Sequence, residues 1–257
     1  VKKLRSLISK DTVAILPVHV YGHICAVEEL DKISKEYGIP VLYDAAHAFG
    51  ERYHGRGVGS FGYASMFSFH ATKVFHSIEG GAVCIGEKNP ELMHKLYALK
   101  NFGIMGQESV ELVGCNGKMN EFSAAMGLCN LRHIEDYIKE REKRYRYYES
   151  LLKELPNLVF PKEQEGVEKN YAYLPVRILG EGRRNQIFSL LEKEGIHPRK
   201  YFYPLISDYD CYKGKFSGDS TPIAKRIAEE ILTLPIYPDL DFSDVERISA
   251  ILQKECS

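Results

Sequence analysis

The chain has 257 residues, 44% of them hydrophobic and 27% charged. That balance excludes a disordered tail, no window is apolar for long enough to cross a bilayer, and the length allows one large domain or two modest ones. Lysine and arginine total 34 against 35 acidic residues, a net charge of −1, so the overall basic excess of a nucleic-acid binder is lacking. The six cysteines include no C-x-x-C pair and read as free thiols of a reducing compartment. With no secretory signal at the start, the expectation is a cytoplasmic protein without a membrane or nucleic-acid partner. The first residue is Val1, so either the numbering follows processing or the chain begins partway through a longer protein.

Val13 to Val18 is short, apolar and β-rich, and reads as a buried strand. Ala26, Val27, Leu30, Ile33 and Tyr37 then recur at helical spacing, with Gly38 as the stop and Pro40 just beyond. Val41-Leu42-Tyr43 is a second strand ending at Asp44. Strand, helix and strand with tight connections predict a βαβ unit with parallel strands, whose ligands sit at the carboxyl ends. Tyr63–Phe69 and Ala82–Ile85 read as further strands around a polar stretch from His70 to Gly81. Asn89-Pro90 is an N-cap and N1 pair opening a helix to about Lys100. A loop with Gly103, Gly106, Gly114 and Gly117 follows. From Met119 the pattern is helical to about Leu155, with a break near His133 to Asp136. Pro156 ends it. Tyr171–Leu179 reads as a strand, Ile187, Leu190 and Leu191 mark a helix stopped by Gly195, and Ser243-Asp244-Val245-Glu246 reads as a capping box for a last helix. The boundary is expected within the long helix, dividing residues 1–145 from 146–257.

Two features suggest chemistry. In Ser68-Phe69-His70-Ala71-Thr72-Lys73 a lysine follows a buried strand among small and hydroxyl residues. Desolvation there lowers an ammonium's pKa and makes the amine a nucleophile for a carbonyl, although a solvated loop lysine carries the same pattern. In Asp44-Ala45-Ala46-His47 an acid at a strand end is followed by an imidazole, a pattern shared with a simple helix N-cap. Together, a Schiff-base lysine and a carboxylate for a pyridinium nitrogen are the two protein groups that pyridoxal 5'-phosphate (PLP) demands.

The sequence resembles the DegT/DnrJ/EryC1/StrS family of PLP-dependent sugar aminotransferases, of the aspartate-aminotransferase fold. The stretches carrying this are Pro17-Val18-His19-Val20-Tyr21-Gly22, Asp44-Ala45-Ala46-His47, Ser68 to Lys73 leading to Glu79-Gly80-Gly81, Gly114 to Glu121, Tyr201-Phe202-Tyr203-Pro204 and Leu234-Pro235-Ile236-Tyr237-Pro238. The resemblance implies an α/β protein of PLP-dependent transferase fold type I, with an incomplete, mostly parallel large domain and a smaller C-terminal α+β domain. It implies amino transfer from glutamate to a keto group on a nucleotide-linked deoxysugar, with a lean to dTDP, at carbon 3 or carbon 4. Lys73 would hold the cofactor aldehyde as an imine and move the proton. Asp44 would pair with the pyridine nitrogen, and Ala46 would pack on one ring face. His47, where the family often has Gln, would donate near the phenolic oxygen, with its charge state open. Ser68 would bond the phosphate, and Asn116 would reach the phosphate of the neighbouring subunit, implying a homodimer with shared active sites.

Lys118 stands where many relatives have Arg, which keeps the charge and loses bidentate pairing. His76 lies in a segment that varies among relatives and bears on sugar choice. The family normally has a substantial segment before Pro17, which supplies phosphate contacts, a stacking aromatic and part of the substrate pocket. A catalytically inactive fragment, or a regulatory or interaction protein of the same fold, therefore stands as the alternative. A PLP dehydratase is disfavoured because those relatives replace the lysine by histidine. No metal site is expected from His19, His23, His47, His70 and His76, since no zinc-like spacing surrounds them. The run Arg141 to Tyr148 reads as a helix with Tyr145 and Tyr148 inward and its charges in water. Tyr201 to Pro204 with Arg199 and Lys200 is either a nucleotide pocket wall or an aromatic packing patch between domains.

Overall fold

The computed structural model describes residues 1–86, 89–215 and 221–256. They form two compact units: Val1–Glu135 with Gln164–Asn170, and Asp136–Glu163 with Tyr171 onward. The division falls at residue 135, ten residues before the expected boundary at 145, and the second half of the chain returns one short stretch to the first unit.

The first unit contains α1 (Val27–Tyr37), β1 (Leu42–Asp44), β2 (Arg52–Tyr53), β3 (Arg56–Gly57), β4 (Ala64–Ser68), β5 (Gly81–Ile85), α2 (Pro90–Lys100), β6 (Ile104–Gly106), β7 (Ser109–Val110) and α3 (Glu121–Leu131). α1 forms because Val27, Leu30 and Ile33 share one buried face, with Glu28 and Glu29 in the first turn and Lys35 in the last. Gly38 stops it in the left-handed conformation, as the sequence predicts. The preceding segment makes only isolated parallel bridges, Ile15 to Val41 and Val18 to Asp44. β1 runs parallel to β4, with Asp44 opposite Met66, and β4 runs antiparallel to β5. The buried strand expected at Val13–Val18 is therefore not formed, and Val13, Leu16 and Val18 are exposed there; the parallel direction expected of a βαβ unit survives only in the two bridges, and the sheet order is β1-β4-β5. Gly62 turns the chain between β3 and β4 at φ 67°, where a Cβ would lie 2.7 Å from both the Tyr43 ring and the Val41 carbonyl.

α4 (Ile134–Leu152) begins where the helical pattern breaks, and β8 (Leu158–Val159) follows. β9 (Val167–Glu168) belongs to the first unit, where it pairs antiparallel with β2 in the sheet β3-β2-β9. The second unit continues with β10 (Leu174–Ile178), α5 (Arg183–Lys193), α6 (Pro222–Glu230), β11 (Ile231–Leu234) and α7 (Phe242–Cys256). Its antiparallel sheet, order β11-β10-β8, packs with helices around Tyr148, Leu152, Leu174, Leu191, Leu232 and Leu252. This is the expected α+β arrangement.

Two local expectations need correction. α7 starts at Phe242, so Ser243 lies inside the helix and not at its cap. The Asp241 carbonyl accepts from the amides of Asp244 and Val245, while Glu246 accepts a hydrogen bond from the Tyr147 hydroxyl. In α4, Tyr145 and Tyr148 are buried as expected, but Arg144 is buried with them. Its Nε donates to the Leu240 carbonyl at 2.9 Å and its Nη1 pairs with Glu140, which compensates removal from water.

Candidate functional site

β1 delivers Asp44 to the carboxyl end of the parallel pair. There the Asp44 carbonyl accepts from His19 N–H at 3.0 Å, and Ala45 N–H donates to Met66 at 2.8 Å. No helix follows. Asp44 Oδ1 instead accepts from the Ala46 amide at 3.0 Å and closes a turn. Oδ2 takes no hydrogen bond among the described residues, which leaves a half-buried carboxylate with an open acceptor.

The turn carries His47, only 7% exposed. Its Nδ1 accepts from the Tyr21 amide at 2.9 Å, so the ring proton is assigned to Nε2. Burial is the main cause that lowers its pKa to about 4; the Lys73 charge acts in the same direction and Asp44 opposes it. His47 is therefore a neutral donor at physiological pH, which resolves the charge state that the sequence leaves open. The same electrostatics bring Asp44, His47 and Lys73 into one neighbourhood.

Lys73 sits in the loop between β4 and β5. Its amide donates to the His70 carbonyl at 2.9 Å, and His70 Nδ1 pairs with Thr72 Oγ1 at 2.9 Å. Val74 and Phe75, buried just after it, anchor the loop. Phe75 stacks on Phe49 at 4.4 Å and meets Phe69 edge-on at 4.8 Å. Phe49 lies two residues after His47, so one aromatic cluster holds both the imidazole turn and the lysine loop. Ser68 closes β4, and its hydroxyl accepts weakly from the His70 amide at 3.4 Å.

Asn116 stands apart from this group. It is exposed, bridged through its backbone to Asn101, and nothing in its contacts brings it to Lys73 or Asp44. Lys118 lies over the Phe102 ring at 4.1 Å and beside a ≈160 Å³ pocket that also includes Glu79 and Asn120. His76 accepts Asn130 Nδ2 at its carbonyl, 2.9 Å away, and so ties the loop to α3. A separate cleft of ≈510 Å³, lined by Asp31, Lys35, Tyr43 and Arg56 among others, includes none of the site residues. In the second unit, Tyr201 packs against Tyr173 and Phe202 with Arg199 near its ring, forming an aromatic cluster.

Three residues of this neighbourhood escape a sequence reading for the cofactor site. His19 is fully buried, stacks on Tyr43 at 4.8 Å, accepts from Cys25 N–H at 3.0 Å, and is pushed by burial to a pKa of about 4. Glu51 is buried, and burial raises its pKa well above the usual carboxylate value. Asn170 is buried against His47 from 123 positions away. The only sequence signal for His19 is its place in Pro17-Val18-His19, and for Glu51 and Asn170 there is none.

The residues fit a PLP cofactor by the chemistry of their donor set. An amine, an acid with an open oxygen and a neutral N–H donor share one electrostatic neighbourhood. The sequence model of the DegT/DnrJ/EryC1/StrS aminotransferase family matches residues 1–253. The chain belongs to this family. Within it, the chain is 40% identical over 261 residues to the dTDP-4-amino-4,6-dideoxy-D-glucose transaminase of Escherichia coli, covering 98% of this chain and 68% of that protein. The crystal structure of DesI in the presence of its TDP-sugar product is similar with a TM-score of 0.90 and 32% identity, over 98% of this chain and 64% of DesI. DesV of S. venezuelae, solved with a ketimine intermediate, is similar with a TM-score of 0.91 and 30% identity, over 99% of this chain and 68% of DesV. The chain thus spans about two thirds of the length of these family members, and the family fold expected from the sequence is the fold observed. No helix among the described residues is long and apolar enough to cross a membrane.

Proposed function

We propose that the chain is a PLP-dependent aminotransferase that moves an amino group from glutamate to the keto group of a dTDP-linked deoxysugar. The observation that carries this reading is the meeting of Asp44, His47 and Lys73 in a chain of this family. Carbon 4 is the favoured position, because the 40% identical relative has a 4-amino sugar in its name, whereas the carbon-3 relative from Streptomyces venezuelae is 31% identical.

Bound PLP supplies an electron sink for the carbon that exchanges its amine. Lys73 would hold the cofactor's aldehyde through Nζ, and the same amine, once free, would take the proton from the donor's amine-bearing carbon and return one at the sugar carbon that receives the amine. Asp44 would pair with the ring nitrogen and keep it protonated, and His47 would donate to the phenolic oxygen, its neutrality keeping a second cation away from Lys73. Ser68 would bond the phosphate, and Asn116 would serve the phosphate of a second subunit. A homodimer is supported by the exposed apolar side chains near Asn116, with Val113 95% and Phe122 89% exposed. The expected compartment is the cytoplasm.

The test is direct. With PLP the protein should turn yellow, and borohydride should bleach it and fix the cofactor mass on the peptide that contains Lys73. Lys73→Ala should lose the fixed mass and at least about 10²-fold of glutamate-dependent amination of the dTDP-linked 4-keto sugar. Fixation on another residue would overturn the assignment of Lys73. Stable yellow protein without turnover on either keto sugar would favour the non-catalytic alternative.

A further inference from the structure

Asn170 and Glu51 have no part in the chemistry above, yet both are buried beside His47, with exposures of 1% and 3%. Asn170 Nδ2 donates to the carbonyls of His47 at 2.8 Å and Phe49 at 3.0 Å. These carbonyls lie in a turn outside any strand or helix, so no ladder satisfies them. The Asn170 backbone amide donates to Glu51 Oε1 at 3.3 Å. The Glu51 carboxyl in turn lies against Gly22, where φ is 84° and a Cβ would come within 2.3 Å of Oε1. Gly22 directly follows Tyr21, whose amide is the donor to His47 Nδ1. One pair of buried residues therefore backs both the imidazole turn and the backbone donor that reads the imidazole.

Asn170 is itself held in place. It ends the short returned stretch in which the Gln164 side chain accepts from Ile24 N–H and donates to the Ile24 carbonyl, each at 2.8 Å. Further along, the Gly166 carbonyl accepts from His54 N–H at 2.7 Å and β9 pairs with β2. The stretch is a brace across the first unit with Asn170 at its end.

We infer that Asn170, backed by Glu51, is a positioning residue for His47, which it holds in a single tautomer with the proton on Nε2 by pinning the turn that carries the ring. Removing the side-chain amide takes one donor from a buried and from a part-buried carbonyl of this turn. The turn then relaxes, and Nδ1 no longer keeps its alignment with the Tyr21 amide. Burial pushes the Glu51 carboxyl well above the usual carboxylate pKa, against the Asn170 amide and the Lys169 charge. The charges that act on His47 itself are Lys73 and Asp44.

The inference rests on the reading of His47 as a cofactor ligand, but its test uses the full chain without cofactor or sugar, so it can fail independently of that reading. The protein is labelled with ¹⁵N-histidine, the His47 signals are assigned by their loss in His47→Gln, and the ring nitrogens are followed by NMR from pH 8 to 5. The wild type should show one tautomer, protonated at Nε2, with no titration in that range. In Asn170→Ala the signals should report exchange between tautomers and a midpoint raised from about 4 toward 6. Asn170→Ser provides the same readout if the alanine variant does not fold. Gln164→Ala, which cuts the brace at Ile24 only, should lower Tm and leave the His47 signals in place. Glu51→Gln, isosteric and neutral, should also leave them in place. Mixed tautomers in the wild type, unchanged signals in a folded Asn170 variant, an equal change in Gln164→Ala, or a change in Glu51→Gln would each overturn the inference.

Discussion

His19 and His47 are buried imidazoles that the fold keeps neutral, each with a pKa lowered to about 4. The unfolded chain protonates them near 6.5, so it binds more protons than the folded chain between those values. The stability this supplies is complete above about 6.5 and lost as pH falls through about 4, on the order of 2–3 kcal/mol per ring. Glu51 has the opposite sign. Its folded pKa is raised, so its contribution is present below about 4.5 and lost as pH rises through the folded value. Urea melts should show Glu51→Gln gaining stability over wild type at pH 8, with the gain shrinking toward pH 5. An equal offset at both values would refute the raised pKa of Glu51. Residues of this kind differ in how far sequence shows them. Asp44, His47 and Lys73 lie in short local patterns with evident chemistry, while the hydrogen bonds of Asn170 depend on chain return and leave no local trace.

The elements follow their end signals where those signals are local. Asn89 caps α2 by accepting from Leu92 N–H at 2.9 Å with Pro90 behind it, and Asn120 caps α3 by accepting from Ser123 N–H at 2.9 Å. Asn120→Ala should cost about 1 kcal/mol in a chemical melt, and Asn120→Asp should keep most of it. A loss under a few tenths would mean that packing, and not the cap, fixes the start of α3. The helix break near residue 133 and the Gly38 stop are equally legible, since a periodicity change and a left-handed glycine act within one turn. The end of the chain shows where this fails. Ser243 and Glu246 have the spacing of a capping box, but Glu246 bonds Tyr147 and the helix begins earlier. A partner 99 positions away outweighs the local motif, as it does for Arg144 and the Leu240 carbonyl. The pairing of β9 with β2 is invisible for the same reason, because two-residue strands carry no period.

At the scale of the molecule, the two units were both readable, because each has its own apolar pattern and its own core, although the first strand read for the βαβ unit forms only isolated bridges. The boundary was less so: the sequence places it at 145, whereas the division falls after Glu135, two residues into α4 and close to the break. The proposed dimer belongs to this scale. The 257-residue protein should sediment as a dimer, and Phe122→Asp, which places a charge on the most exposed apolar residue of α3, should shift it toward monomer by at least about tenfold in Kd. Sedimentation unchanged by the aspartate would place the interface elsewhere.

The returned stretch 164–170 has a further consequence for how the protein is made. A ribosome releases the chain from its amino end, so the first unit waits, unfinished, through synthesis of most of α4 and the strand after it. Until Asn170 emerges, the His47 turn lacks two of its hydrogen bonds, and the nascent protein has the parts of its site without the clasp that closes around them.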